Sequence, residues 1–127
     1  MNLLYRTLKW PVIGLAITGA LHFSMEAIWP DLHATFTPPV IGPVLLAYGL
    51  WVGSRAIQVG GTYLHAILAG AIAGVLPVML EVVGFGIVLG RGVQAGLLAG
   101  LFGFAFIVFG SLVGGGYVAA SRELTHS

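Results

Sequence analysis

Residues 63–90 read YLHAILAGAIAGVLPVMLEVVGFGIVLG, and Glu81 is the one Asp, Glu, Lys or Arg among them. About 20 such residues cross the hydrocarbon of a bilayer as an α-helix, so this stretch predicts a membrane span that either tilts or leaves the bilayer early. Strands are not indicated, because the glycines and alanines recur without the alternation that a half-buried strand needs.

Three further stretches read the same way. Pro11 to Trp29 is apolar, with Pro11 suited to a first helical turn and Pro30 closing the far end. Arg6 and Lys9 precede it as in a secretory signal, but it ends in Ile28-Trp29-Pro30 where a cleaved signal has small residues, so a retained helix is expected. Val40 to Gln58 and Val93 to Ala119 complete the set. The expected fold is an all-α membrane protein, one domain over residues 1–127, built as a bundle of about four transmembrane helices (11–29, 40–58, 63–90 and 93–119). The segment Pro30-Asp31-Leu32-His33-Ala34-Thr35-Phe36-Thr37-Pro38-Pro39 reads as a polar, non-helical linker outside the hydrocarbon. Gly60-Gly61-Thr62 and Arg91-Gly92 read as tight turns, and Ser121 to Ser127 as a polar tail.

Composition agrees. Of 127 residues 58% are hydrophobic and 7% charged, with a mean hydropathy of +1.03, against roughly a quarter charged in soluble domains. A net charge of +1 without any basic cluster excludes nucleic acid as a partner. The absence of cysteine excludes disulfides, thiolate metal sites and a cysteine nucleophile. No phosphate loop, zinc-protease motif or nucleophile elbow occurs, so the chain is not expected to be an enzyme.

With four spans, Arg6, Lys9, Arg55 and Arg122 share one side, and Arg91 is alone on the other. The positive-inside rule then puts both termini in the cytoplasm, in a multi-pass protein of the plasma or inner membrane, with Asp31 and His33 outside. Trp10, Trp29 and Tyr117 fall at helix ends, where interfacial aromatics belong.

Membrane helices associate where small residues let backbones come close. Gly92, Gly96 and Gly100 recur every four residues, as do Gly110 and Gly114, and Gly70 and Gly74 line the third helix. Such ridges serve either packing within one bundle or an interface with a second copy or a larger membrane complex.

The chemistry concentrates in few places. Gly14, Thr18, His22 and Glu26 follow at four-residue intervals and form one small, polar face of the first helix. Glu81 follows Pro77 by one turn; Pro77 lacks an amide hydrogen, releases the Ala73 carbonyl and is a candidate helix kink. Counted from helix centres, Glu26 and Glu81 occupy one layer, with His22 one turn deeper. A carboxylate in hydrocarbon costs a few kcal/mol unless protonated, paired or wetted. Two neighbouring ones would share a proton or hold a cation, and His22 would relay the proton or complete the site. The alternatives are that Glu26 and Glu81 reach outer water and that His22 is a hydrogen-bonded packing residue.

Met25-Glu26 and Met79-Leu80-Glu81 hint at two duplicated hairpins related by an axis along the membrane normal. The function expected from these residues is small proton- or cation-linked transport, by a homo-oligomer acting on a small cation or small solute, with no resident cofactor. The rival is a non-catalytic accessory or assembly subunit of a larger membrane complex. Pigment or haem association is a variant of that rival, since Thr18–His22 and Gly61–His65 leave room for a flat macrocycle.

Overall fold

The structure, a computed structural model, describes residues 2–126. It contains four helices long and apolar enough to cross a membrane, as a membrane protein requires. In hydrocarbon every backbone N–H and C=O must be satisfied within the chain, and the apolar stretches meet that demand by winding into helices throughout. Helix α1 is Asn2–Ile28 and α2 is Pro30–Gln58. Helix α3, Tyr63–Leu80, continues without a break as a π-helical segment, Glu81–Val88, and α4 is Val93–His126.

Three boundaries differ from the sequence reading. Residues 30–39 are not a linker: they form the opening turns of α2, and Trp29 is the one residue outside helix between α1 and α2. Pro30 occupies the first turn, where its missing N–H is no loss, and Asp31 beside it suits the positive end of the helix dipole. Pro38, Pro39 and Pro43 lie inside the helix, which runs on because one face of it is already committed to the bundle. His33, Thr37, Ile41, Leu45, Gly49 and Gly53 follow at four-residue spacing, and none of them is exposed. Helix α1 begins nine residues before Pro11, which is buried in its interior, and α4 continues past Ala119 to His126. Ser127 of the expected tail lies outside the described residues.

The helices alternate in direction. Helices α2 and α4 run parallel in close contact, and α3 packs antiparallel to α4. Helix α1 packs on α2 and α3. Leu15, Leu45, Val52, Ala69, Ala73 and Ile107 form the core where the four meet. The exterior is apolar: Ile17 and Leu21 on α1, Ile72 and Met79 on α3, and Leu98 and Phe102 on α4 are all exposed.

Glycine sets the helix spacing. A Cβ at Gly49 would collide with the Ile107 carbonyl oxygen, at Gly53 with that of Ser111, at Gly110 with that of Leu46 and at Gly114 with that of Leu50. Both helices of the pair are thus bare where they cross. Toward α3, a Cβ at Gly96 would lie 2.5 Å from the Glu81 carbonyl oxygen, and one at Gly100 would lie 2.6 Å from the Cα of Val78. Gly70 faces Ser111, whose Oγ donates to the Ala66 carbonyl at 2.6 Å, and Gly74 faces the Phe104 ring. Six of the seven ridge glycines are used inside the chain. The seventh, Gly92, has φ +96° and serves the turn after the π segment together with Gly90 (φ +70°).

At one end Arg55 Nε donates to the Arg6 carbonyl at 2.9 Å, and an Arg122 guanidinium nitrogen donates to the Ile57 carbonyl at 2.8 Å. Arg91 is at the opposite end, its guanidinium 5.6 Å from the Phe85 ring centre.

This geometry predicts that Gly110→Ala and Gly114→Ala each destabilise the bundle by about 1–3 kcal/mol. Gly116→Ala, whose Cβ would meet only the Tyr63 ring at 3.7 Å or more, should stay within about 0.5 kcal/mol of wild type. Unfolding of the purified protein in detergent measures all three. Equal tolerance at positions 110, 114 and 116 would contradict the packing described.

Candidate functional site

The polar face of α1 turns inward along its whole length. Gly14 abuts the Tyr48 ring, and Thr18 Oγ1 shares a hydrogen bond of 2.8 Å with the Tyr48 hydroxyl. Toward the Trp29 end the same face meets both neighbours at once. His22 Nε2 lies 3.0 Å from Glu81 Oε1 on the π segment, and His22 Nδ1 lies 3.3 Å from His33 Nε2 on α2. His33 Nε2 in turn stands 3.8 Å from Glu26 Oε2. Four side chains from three helical elements therefore form one chain: Glu81, His22, His33, Glu26.

Local structure explains each position. Glu26 and His33 are near neighbours because the corner between α1 and α2 is a single residue, held by hydrogen bonds from the Trp29 N–H to the Met25 carbonyl (2.8 Å) and from the His33 N–H to the Trp29 carbonyl (2.9 Å). Glu26 is 7% exposed, a buried carboxylate. Glu81 opens the π segment, and its N–H reaches the carbonyls of Pro77 and Val78. A π turn holds more residues than an α turn, and such turns are frequent at functional sites. Here the wider winding is accommodated by Gly96, whose missing side chain lets the Glu81 carbonyl approach α4, and by Gly84, which lies against Phe23 of α1. At Pro77 itself the α-helix continues, and the change in winding comes one turn later.

Glu26 and Glu81 do not share a layer. Gly19 is beside Leu80 and Phe23 beside Gly84, so Glu81 stands near the level of His22, and Glu26 is about one turn, or about 6 Å, nearer the Trp29 end. The Met-Glu similarity thus does not place the two carboxylates at equivalent depths. They are connected through the two imidazoles.

His33 is the residue that the sequence reading placed in a solvated linker. Its signal was the four-residue spacing from His33 through Thr37, Ile41 and Leu45, which continues a helical face of α2 back through residues read as breakers. His65 is outside the site: it caps α3, accepting the Thr62 backbone N–H at Nδ1 (3.0 Å).

All four site residues line a cavity of about 620 Å³ to which each helix contributes. Apart from Thr18 and Thr37 its remaining walls are apolar, with Phe23, Phe85, Phe102 and Phe106 among them. The cluster is thus a small polar patch on one wall of a greasy chamber. In such surroundings ionised groups interact far more strongly than in water, and an uncompensated carboxylate is costly. No protein family, curated protein or solved structure matches this chain.

An ionised carboxylate can only accept a hydrogen bond, so with Glu81 ionised and His22 neutral the 3.0 Å contact places the His22 hydrogen on Nε2 and turns the Nδ1 lone pair toward His33. Nitrogen-15 NMR of histidine-labelled protein should show His22 with a hydrogen on Nε2 and none on Nδ1. In Glu81→Gln that preference should weaken. The opposite tautomer in wild type would contradict this arrangement.

Proposed function

We propose that this chain is a small membrane transport protein, proton- or cation-linked, whose coupling site is the Glu81–His22–His33–Glu26 chain. The observation that carries the reading is that two imidazoles stand side by side between two carboxylates, the four coming from three helical elements, on the largely apolar wall of a cavity. Buried ionisable groups in membrane helices face costs that structural packing alone does not require, and they concentrate at ion and proton pathways. Imidazole changes its charge in the physiological range, so two adjacent rings between carboxylates form a relay that holds a proton, passes it on or exchanges it for another cation.

The cavity supplies the second requirement of a transporter, a chamber for a solute. Its apolar walls suit a small, largely apolar solute, with the cation held at the polar patch. Both termini are assigned to the cytoplasm, because Arg6, Lys9, Arg55 and Arg122 gather at the end opposite Arg91. The ridge glycines that would favour docking onto a larger complex are engaged within the chain, which leaves the accessory-subunit reading without its main support.

The test is proton flux into proteoliposomes that carry a trapped pH-sensitive dye, driven by an imposed potassium diffusion potential. Wild type should acidify the lumen faster than empty liposomes, and Glu26→Gln and Glu81→Gln should each slow the protein-dependent flux at least tenfold. Flux indistinguishable from empty liposomes, with the protein folded and inserted, would overturn the reading in favour of an accessory subunit.

A further inference from the structure

We infer that His22, Glu26 and His33 are the ligands of a first-row divalent transition-metal ion, with Glu81 as the outer carboxylate that orients His22. This names the cation of the site above and rests on that reading only in taking the cluster to be a cation site.

The separations within the triad match what one bound ion requires. Within the triad the separations are 3.3 Å between His22 Nδ1 and His33 Nε2 and 3.8 Å between His33 Nε2 and Glu26 Oε2. The first is a long hydrogen bond and the second is beyond hydrogen-bond distance. Two ligands of one tetrahedral ion, each about 2.0–2.1 Å from it, stand about 3.3–3.5 Å apart. One donor atom from each of the three residues lies within 4.8 Å of the others, so closure on an ion takes a side-chain movement of about 1–1.5 Å. The contact to Glu81 is the shortest of the three: at 3.0 Å, His22 Nε2 and Glu81 are at ordinary hydrogen-bond distance.

That difference fits a known logic of metal sites. A ligating histidine donates its other N–H to a carboxylate, which fixes the ring and makes the ligating nitrogen more basic. Here Glu81 takes the Nε2 hydrogen, and Nδ1 is left as a donor pointing at the place where His33 Nε2 and the Glu26 carboxylate converge. Charge closes as well, since a dication is neutralised by Glu26 and Glu81 together, as an apolar chamber demands.

The ligand set also selects the ion. Two imidazoles and one carboxylate suit zinc, cobalt, nickel and iron(II), whereas magnesium and calcium take all-oxygen sites. Three protein ligands leave a tetrahedral or octahedral ion with free positions, and because all three residues line the cavity, a small molecule in it can reach the metal.

The experiment is titration of the purified full-length protein in detergent with Zn²⁺ by calorimetry, and with Co²⁺ by visible absorption. Wild type should bind one ion per chain and ignore equimolar Mg²⁺. His33→Gln and Glu26→Gln should weaken Zn²⁺ binding at least 100-fold, and Glu81→Gln 10- to 100-fold. His65→Gln should leave binding unchanged. X-ray absorption of the Zn²⁺-loaded wild type should show two imidazoles in the first shell, a readout independent of whether the variants fold. Binding that survives His33→Gln, binding that disappears in His65→Gln, or a first shell of oxygen alone would overturn the proposal. Proton flux without any Zn²⁺ binding would also overturn it while leaving transport in place. Zn²⁺ binding without flux would uphold the metal site and remove transport.

Discussion

A carboxylate kept from water must find compensation inside the protein, and Glu26, buried at the end of α1, imposes that demand on everything around it. Its neighbour is His33, which is near because a single residue, Trp29, separates α1 from α2. His33 stands against His22, and His22 against Glu81, so the compensation of one buried charge runs through three helical elements. Polar contacts of this sort fix register in a membrane bundle, where apolar surfaces slide past one another with little preference.

Around that line the backbone does the remaining work. Helices α2 and α4 approach until carbonyls of one lie against the glycines of the other, and α3 rests on Gly96 and Gly100 of α4. The π segment follows from the same economy of side chains: with Gly84 and Gly86 within it and Gly92 and Gly96 opposite, the chain can widen its turn at Glu81 without steric conflict. Helix spacing and the placing of Glu81 therefore rest on one set of small residues.

The membrane class and all four helices were legible from hydropathy, and so was the inward face of Gly14, Thr18, His22 and Glu26, because periodicity on an unbroken helix is a strong signal. Three features were not. Proline-rich residues 30–39 carry local breaker signals, and the packing of the face that begins at His33 outweighs them, which hid the fourth member of the site. The levels of Glu26 and Glu81 depend on how α1 is staggered along α3, and the change to π winding beyond Pro77 depends on the glycines of α4. Both are properties of pairs of helices that no single segment records.

The one-residue corner at Trp29 also has a mechanical consequence. Helices joined this tightly separate only by pivoting about the joint, which makes Trp29 a fulcrum and α1 a lever about 40 Å long. A rotation of about 5° would carry the far tip of α1 through about 3 Å while moving His22, about 10 Å from the pivot, by less than 1 Å. The hydrogen bond from Arg55 to the Arg6 carbonyl tethers the arm near that distant tip. Under such a rotation the polar cluster, close to the pivot, would be displaced far less than the distant tip of α1.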